Sequence, residues 1–85
     1  MFFVYILQSK KDKDLYFGYT DNLRRRFKEH NSGLVTSTKP RAPFMLVYYE
    51  AYASKQDAVK REHNLKLQAK ALVQLKNRIK SCFKA

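Results

Sequence analysis

The chain opens on an apolar run, Phe2 to Leu7, rich in aromatic and β-branched residues and free of breakers, which predicts a strand. The polar stretch Gln8 to Asp14 reads as a hairpin connection, followed by a second strand over Leu15 to Tyr19 with Gly18 inside it. A glycine within a strand marks a bend or a point where another group approaches the backbone closely. Thr20, Asp21 and Asn22 supply N-cap candidates for a helix beginning at Leu23, and Asn31-Ser32-Gly33 ends it. Leu34 to Pro43 has no period and carries both prolines, which predicts a loop. Phe44 to Tyr52 is a third strand, whose almost unbroken apolar run predicts burial on both faces. Ser54, with Asp57 three residues on, resembles a capping box and opens a helix to about Leu67. A last helix spans roughly Ala69 to Phe83, with Ala71, Leu72, Leu75, Ile79, Cys82 and Phe83 on one stripe and Lys70, Lys76, Lys80 and Lys84 off it. No repeat, low-complexity tract or linker divides the 85 residues, so a single domain over residues 1–85 is expected.

Charge narrows the function. Lys and Arg number 18 against 7 Asp and Glu, a formal net charge of +11 that no acidic run offsets. The expected partner is a polyanion, DNA first, because each phosphate neutralised releases counterions, with a salt slope of about −0.9 per contact. Solubility alone is the blander explanation of such a charge. A membrane partner is not expected: no helix sets a Lys/Arg face against an exposed bulky apolar one, and the run Met1 to Leu7 is too short for a signal peptide or a span. A cytoplasmic location follows as the expectation. Cys82, the only cysteine, can form neither an internal disulfide nor a metal cluster, and packing is its expected role.

Helix geometry then sorts the charged residues. With Leu23 at zero, Phe27 lies at about 40°, His30 at about −20° and Arg26 at about −60°, so Arg26 and His30 border the buried stripe one turn apart. Both can reach one phosphate from the sheet edge. Arg24, Arg25 and Lys28 point to solvent, as a solvated or phosphate-backbone-contacting face. Lys39 and Arg41 in the loop are further phosphate contacts, as is Lys66 at the border of the next helix stripe. On that helix, with Ala58 at zero, Glu62 falls at about 40° and Leu65 at about −20°, which puts a carboxylate in the apolar stripe. A buried carboxylate needs a cation. Arg61 or Arg26 could supply it in a structural salt bridge; alternatively Glu62 is a hard oxygen ligand for Mg²⁺ or Mn²⁺, with water and phosphate filling the other positions.

The triplets Phe3-Val4-Tyr5 and Tyr16-Phe17-Gly18, then Leu23, Arg26 and His30, then Glu62, together resemble the GIY-YIG endonucleases over nearly the whole chain. The likeness is to the small stand-alone bacterial members related to the N-terminal nuclease domain of the excision-repair protein UvrC. Phe3 stands where the first motif often has glycine, Phe17 replaces isoleucine or valine, and Tyr19 stands where some relatives have lysine. The resemblance implies an α+β fold, a small three-stranded antiparallel β-sheet flanked by helices, and metal-dependent hydrolysis of DNA phosphodiesters, plausible in structure-selective repair or recombination. It further implies a catalytic set of Tyr5, Tyr16, Arg26, His30 and Glu62. Glu62 would be the metal ligand, Arg26 the partner of the phosphate, and Tyr5, Tyr16 or His30 the base. Gly18, Arg24, Arg25, Lys39, Arg41 and Lys66 complete the expected nucleic-acid surface. A non-catalytic module that binds DNA or structured RNA is the alternative, although an inward-facing acid would weaken such a surface. Tyr48, Tyr49 and Tyr52 belong to no motif and read as structural.

Overall fold

The computed structural model describes residues 1–83, apart from the side chain of Ala69; Lys84, assigned above to the solvated face of the last helix, lies outside the described residues. The fold is α+β. Strands β1 (Phe2–Ser9), β2 (Leu15–Thr20) and β3 (Phe44–Tyr52) form one antiparallel sheet in the order β2-β1-β3. Helix α1 (Leu23–Asn31) covers one face, and α2 (Lys55–Leu67) with α3 (Ala69–Arg78) covers the other. Among the described residues, no helix is long and apolar enough to cross a membrane.

Local chemistry explains the boundaries. Ser9 Oγ accepts the amides of Lys11 and Asp12, each at 3.1 Å, and donates to the Arg41 carbonyl at 2.6 Å. This folds the hairpin connection and ties it to the loop after α1. Asn22 is the N-cap of α1, its side chain accepting Arg25 N–H at 3.1 Å, while Ser54 caps α2 by accepting Asp57 N–H at 3.3 Å. The Asn31 amide clasps the backbone of Phe44, donating to its carbonyl at 3.1 Å and accepting its N–H at 2.6 Å, which fastens the end of α1 to the start of β3.

The two sheet faces carry separate apolar layers. Val4 and Ile6 pack with Ala58, Leu65, Leu75 and Ile79 beneath α2 and α3. Tyr5, Leu7 and Phe44 pack with Tyr16, Leu23 and Phe27 beneath α1. Strand alternation divides the side chains between the layers.

Three sequence expectations need correction. Burial on both faces belongs to β1, buried from Val4 to Ser9, because β1 is central; the long apolar strand β3 lies at an edge and is half-buried, with Tyr49 53% exposed. The last helix stops at Arg78: Ile79 leaves helical dihedrals (φ −117°, ψ 21°) with its side chain in the core, and a 3₁₀ turn follows over Lys80–Cys82. That turn rotates Cys82 out of the stripe, so it is exposed rather than packed.

Candidate active site

Pairing register decides what the sequence left open. Tyr5 lies opposite Gly18 and Leu7 opposite Tyr16, so Tyr5 and Tyr16 are diagonal neighbours on the α1 face, ring centroids 6.4 Å apart. The Tyr5 ring lies directly over Gly18. A Cβ on Gly18 would stand 2.3 Å from both Cζ and Oη of Tyr5, so only glycine leaves room. The close approach expected at Gly18 is therefore made by Tyr5. Gly18, expected above on the nucleic-acid surface, is buried beneath that ring.

His30 is completely buried rather than bordering the stripe. The loop after α1 accounts for the difference, since Thr38, 1% exposed, closes over the imidazole. Thr38 Oγ1 lies 2.9 Å from His30 Nδ1 and donates to the Val35 carbonyl at 3.4 Å, while His30 Nε2 lies 2.9 Å from Tyr5 Oη. With the Thr38 hydroxyl turned to Val35, Nδ1–H donates to Thr38 and Nε2 accepts the Tyr5 hydroxyl. The edges of the Tyr5, Tyr16 and Phe44 rings enclose the imidazole, with centroids 5.8, 4.9 and 5.9 Å away. Burial, reinforced by the neighbouring Arg26 charge and only partly countered by Glu29, pushes the His30 pKa down to about 4.

Tyr5 is 1% exposed, and burial pushes its pKa up to about 12, against the lowering influence of the Arg26 guanidinium. Its hydroxyl thus donates to His30 and feels the Arg26 charge. Arg26 donates to Glu29 Oε1 at 3.2 Å and keeps about a third of its side chain exposed (36%). Tyr16 is only partly buried. The result is a cationic group at the rim, braced by Glu29 and acting on a buried tyrosine–histidine pair, with a second tyrosine beside it.

Glu62 completes the set from the opposite helix layer. It lies within electrostatic reach of Tyr5, whose ionisation its charge opposes. The carboxylate is not buried in mid-stripe: Ala58 and Leu65 face the sheet, both fully buried, while the Glu62 side chain is 22% exposed. Nor does it pair with Arg61 or Arg26. Its partner is Lys66 Nζ at 3.2 Å, one turn on, and Lys66 is thereby drawn into the site. Arg61 instead makes a two-pronged bond to Glu50, with Nε to Oε1 and Nη2 to Oε2 both 3.0 Å.

The remaining expected phosphate contacts divide. Arg24 is exposed and lines an open hollow with Phe3, Phe27 and Tyr49 on the β3 flank of α1. Arg25 is 61% exposed and meets Asp21 at 3.4 Å and Glu29 at 4.0 Å. Lys39 is exposed in a 3₁₀ turn. Arg41 departs from its expected role: Nε binds Asp12 Oδ2 at 2.9 Å, Nη2 donates to the Leu15 carbonyl at 3.4 Å, and the guanidinium lies 5.6 Å from the centre of the Phe44 ring. It holds the hairpin to the loop. Sequence reasoning also passed over Thr38 and the partners of Arg61. A Tyr-x-Glu-x-Tyr alternation on β3 was legible as one strand face, whereas nothing local marked Thr38.

The burial of His30 gives a pH prediction. Above pH 6.5 the histidine is neutral whether the chain is folded or not, and its contribution to stability is fully present. As pH falls through the window from 6.5 to about 4, the unfolded chain takes up a proton that the native imidazole refuses, and up to about 3 kcal/mol of stability is lost. Urea unfolding between pH 4.5 and 7.5 measures this. His30→Asn flattens the slope; an unchanged slope in that variant would assign the effect elsewhere.

Comparison with known proteins bears on this arrangement. The profile of the GIY-YIG catalytic domain matches residues 1–80. A UPF0213 protein of Clostridium perfringens is 45% identical over 67 residues, covering 78% of this chain and 71% of the relative. A UPF0213 protein of Haloquadratum walsbyi is 40% identical over 65 residues, covering 75% of this chain and 72% of the relative. The solution NMR structure of a UPF0213 protein from Bacillus halodurans superposes with a TM-score of 0.55 at 41% identity, covering 88% of this chain and 82% of that one. A basic chain whose two aromatic triplets, helix-borne arginine and histidine, and distal glutamate follow in this order through one α+β fold belongs to the GIY-YIG superfamily, a nuclease superfamily.

Proposed function

We propose that the protein is a metal-dependent endonuclease that hydrolyses DNA phosphodiester bonds. The observation that carries this reading is the convergence of Tyr5, Tyr16, Arg26 and His30 from three separate elements, with Tyr5 Oη 2.9 Å from His30 Nε2 and the charges of Arg26 and Glu62 both acting on Tyr5. A module that only binds would need neither a sealed tyrosine–histidine pair beside a guanidinium nor a carboxylate of opposite charge acting on the same tyrosine.

The donor set suits a hard divalent cation. Among the described residues no three His, Cys, Asp or Glu side chains come together, so no all-protein cage exists for zinc or calcium. Glu62 offers a single, part-exposed carboxylate whose surface lysine partner is easily displaced. That fits Mg²⁺ or Mn²⁺, which keep most of their shell as water and phosphate oxygen. A bound ion supplies Lewis acidity to the phosphate and its leaving oxygen.

The chain's own residues do the rest. Arg26, aimed by Glu29, stabilises charge on the reacting phosphate. Of the three candidate bases, His30 is enclosed and Tyr5 is buried with its proton committed to His30. Tyr16, the part-exposed member, meets the attacking water. Burial also holds the His30 imidazole well below the ordinary histidine value near 6.5, at about 4, which makes it a weak base. His30 and Thr38 act as positioning residues for Tyr5. The net charge of +11 supplies attraction to the strand.

The test incubates purified protein with plasmid, single-stranded, flap and junction DNA in Mg²⁺, Mn²⁺ or EDTA, with binding followed in parallel. Cutting that requires metal is the expected result. Binding throughout, without cutting in any metal, would leave the module reading standing instead.

A further inference from the structure

Glu50 and Arg61 lie outside the catalytic set yet form the most fully bonded charged cluster among the described residues. The Glu50 side chain is 16% exposed and accepts from four donors: Arg61 Nε and Nη2, each at 3.0 Å, the Tyr48 hydroxyl at 2.6 Å and the Tyr52 hydroxyl. Tyr48 and Tyr52 flank Glu50 at two-residue intervals on one face of β3. Burial works against the Glu50 charge, but the bonds from Arg61 and the two tyrosines outweigh it and hold the carboxyl below its usual range. A carboxylate so saturated has no lone pair to spare for metal or substrate. Its effect must pass through Arg61.

Arg61 immediately precedes Glu62. The sheet-facing line of α2 runs between Ala58 and Leu65, and Arg61 and Glu62 lie about 50° to either side of it at 100° per residue. One flank therefore carries the guanidinium to β3, and the other carries the Glu62 carboxylate, whose charge acts on Tyr5. Ala58, the second sheet-facing contact, is small and smooth and resists rotation of the helix poorly. A turn of α2 by about 20° would swing the Glu62 carboxylate by about 2 Å at the helix periphery. Misplacement by about 1 Å can cost about 10²-fold in rate.

We propose that the Glu50–Arg61 clamp, seated by Tyr48 and Tyr52, is a positioning device that fixes the rotation of α2 on the sheet and thereby aims Glu62 into the catalytic centre. The clamp also keeps the nearest arginine in sequence off Glu62, so that the carboxylate faces only an exchangeable lysine. This inference rests on the nuclease reading for its kinetic consequence and on the fold alone for its geometric one.

The test uses the full chain with Glu50→Gln, Arg61→Lys and, as a control for lost stability, Leu75→Val in the same apolar layer. Residual dipolar couplings of backbone amides in the metal-free protein report the orientation of α2 against the sheet. Cleavage is measured at saturating Mg²⁺. Glu50→Gln is expected to reorient α2 and lower kcat about 10- to 100-fold with little change in KM for DNA. Arg61→Lys, which keeps the charge but loses the fork, is expected to fall between it and wild type, and Leu75→Val to keep both orientation and kcat. A folded Glu50→Gln protein with α2 unmoved and kcat within twofold of wild type overturns the proposal. If wild type does not cut, the nuclease reading fails, and the couplings still decide whether the clamp sets α2.

Discussion

Glu62→Gln is expected to lower metal-dependent cleavage by at least about 10²- to 10³-fold, the range seen when one preorganised electrostatic partner is removed from a catalytic centre. The substitution keeps the shape of the side chain and removes its charge. Glu62 is the carboxylate that reaches Tyr5 from α2, whereas Glu29 is occupied by Arg26 and Arg25, and Glu50 by Arg61. The fold should hardly change, because the only ion pair lost is the one to Lys66, a 45% exposed lysine, and such pairs contribute about 0–1 kcal/mol. Affinity for DNA should be kept or slightly raised, since a negative charge leaves a basic surface. Initial rates, Mn²⁺ binding by calorimetry and the melting temperature separate these effects. Cleavage within tenfold of wild type would remove Glu62 from the metal site.

Gly18→Ala should be the most damaging small substitution in the sheet. The added methyl would sit 2.3 Å from Tyr5 Cζ and Oη, a distance no relaxation within the rotamer well absorbs, so the tyrosine ring must leave its seat. Displacing it breaks the 2.9 Å bond to His30 and strands an imidazole nitrogen at a site with no exposure. Overpacking costs about 1–3 kcal/mol and an orphaned buried acceptor about as much again. For a chain this short the melting temperature should fall by at least about 10 °C. Cleavage should be lost as well, because the Tyr5–His30 pair beside Tyr16 comes apart. Gly33→Ala makes the contrast. There φ is +74° and the nearest side-chain atom is 3.5 Å from the new Cβ, so the cost is backbone strain of about 1 kcal/mol, with activity kept. Equal damage at both positions would mean that strand flexibility, not the Tyr5 seat, is what Gly18 provides.

These two sites show different degrees of legibility in the chain. The strands and helices followed from period and caps, and Asn22 and Ser54 do cap α1 and α2. The glycine signal at Gly18 was right about close approach and wrong about what approaches, because the occupant comes from the neighbouring strand. His30 was placed at the border of a stripe from helix geometry alone, yet a loop with no period of its own buries it through Thr38. Arg61 was a candidate partner for Glu62, but a carboxylate eleven residues earlier takes it. In each case the element was correct and the partner was not, since partners are chosen across sheet pairings and loop closures that leave no local periodicity.

By itself, then, the sequence determined the order and type of the elements and the polyanion-seeking charge, and it named the candidate site residues, because these depend on side-chain period and on composition. Tertiary structure alone decided that Tyr5 and Tyr16 share a face, that His30 is sealed and neutral while Tyr16 meets solvent, and that Arg61 turns to Glu50 and leaves Glu62 to Lys66. Those outcomes depend on pairing register and on desolvation, and both are set only when segments distant in the chain are brought within a few ångströms of one another.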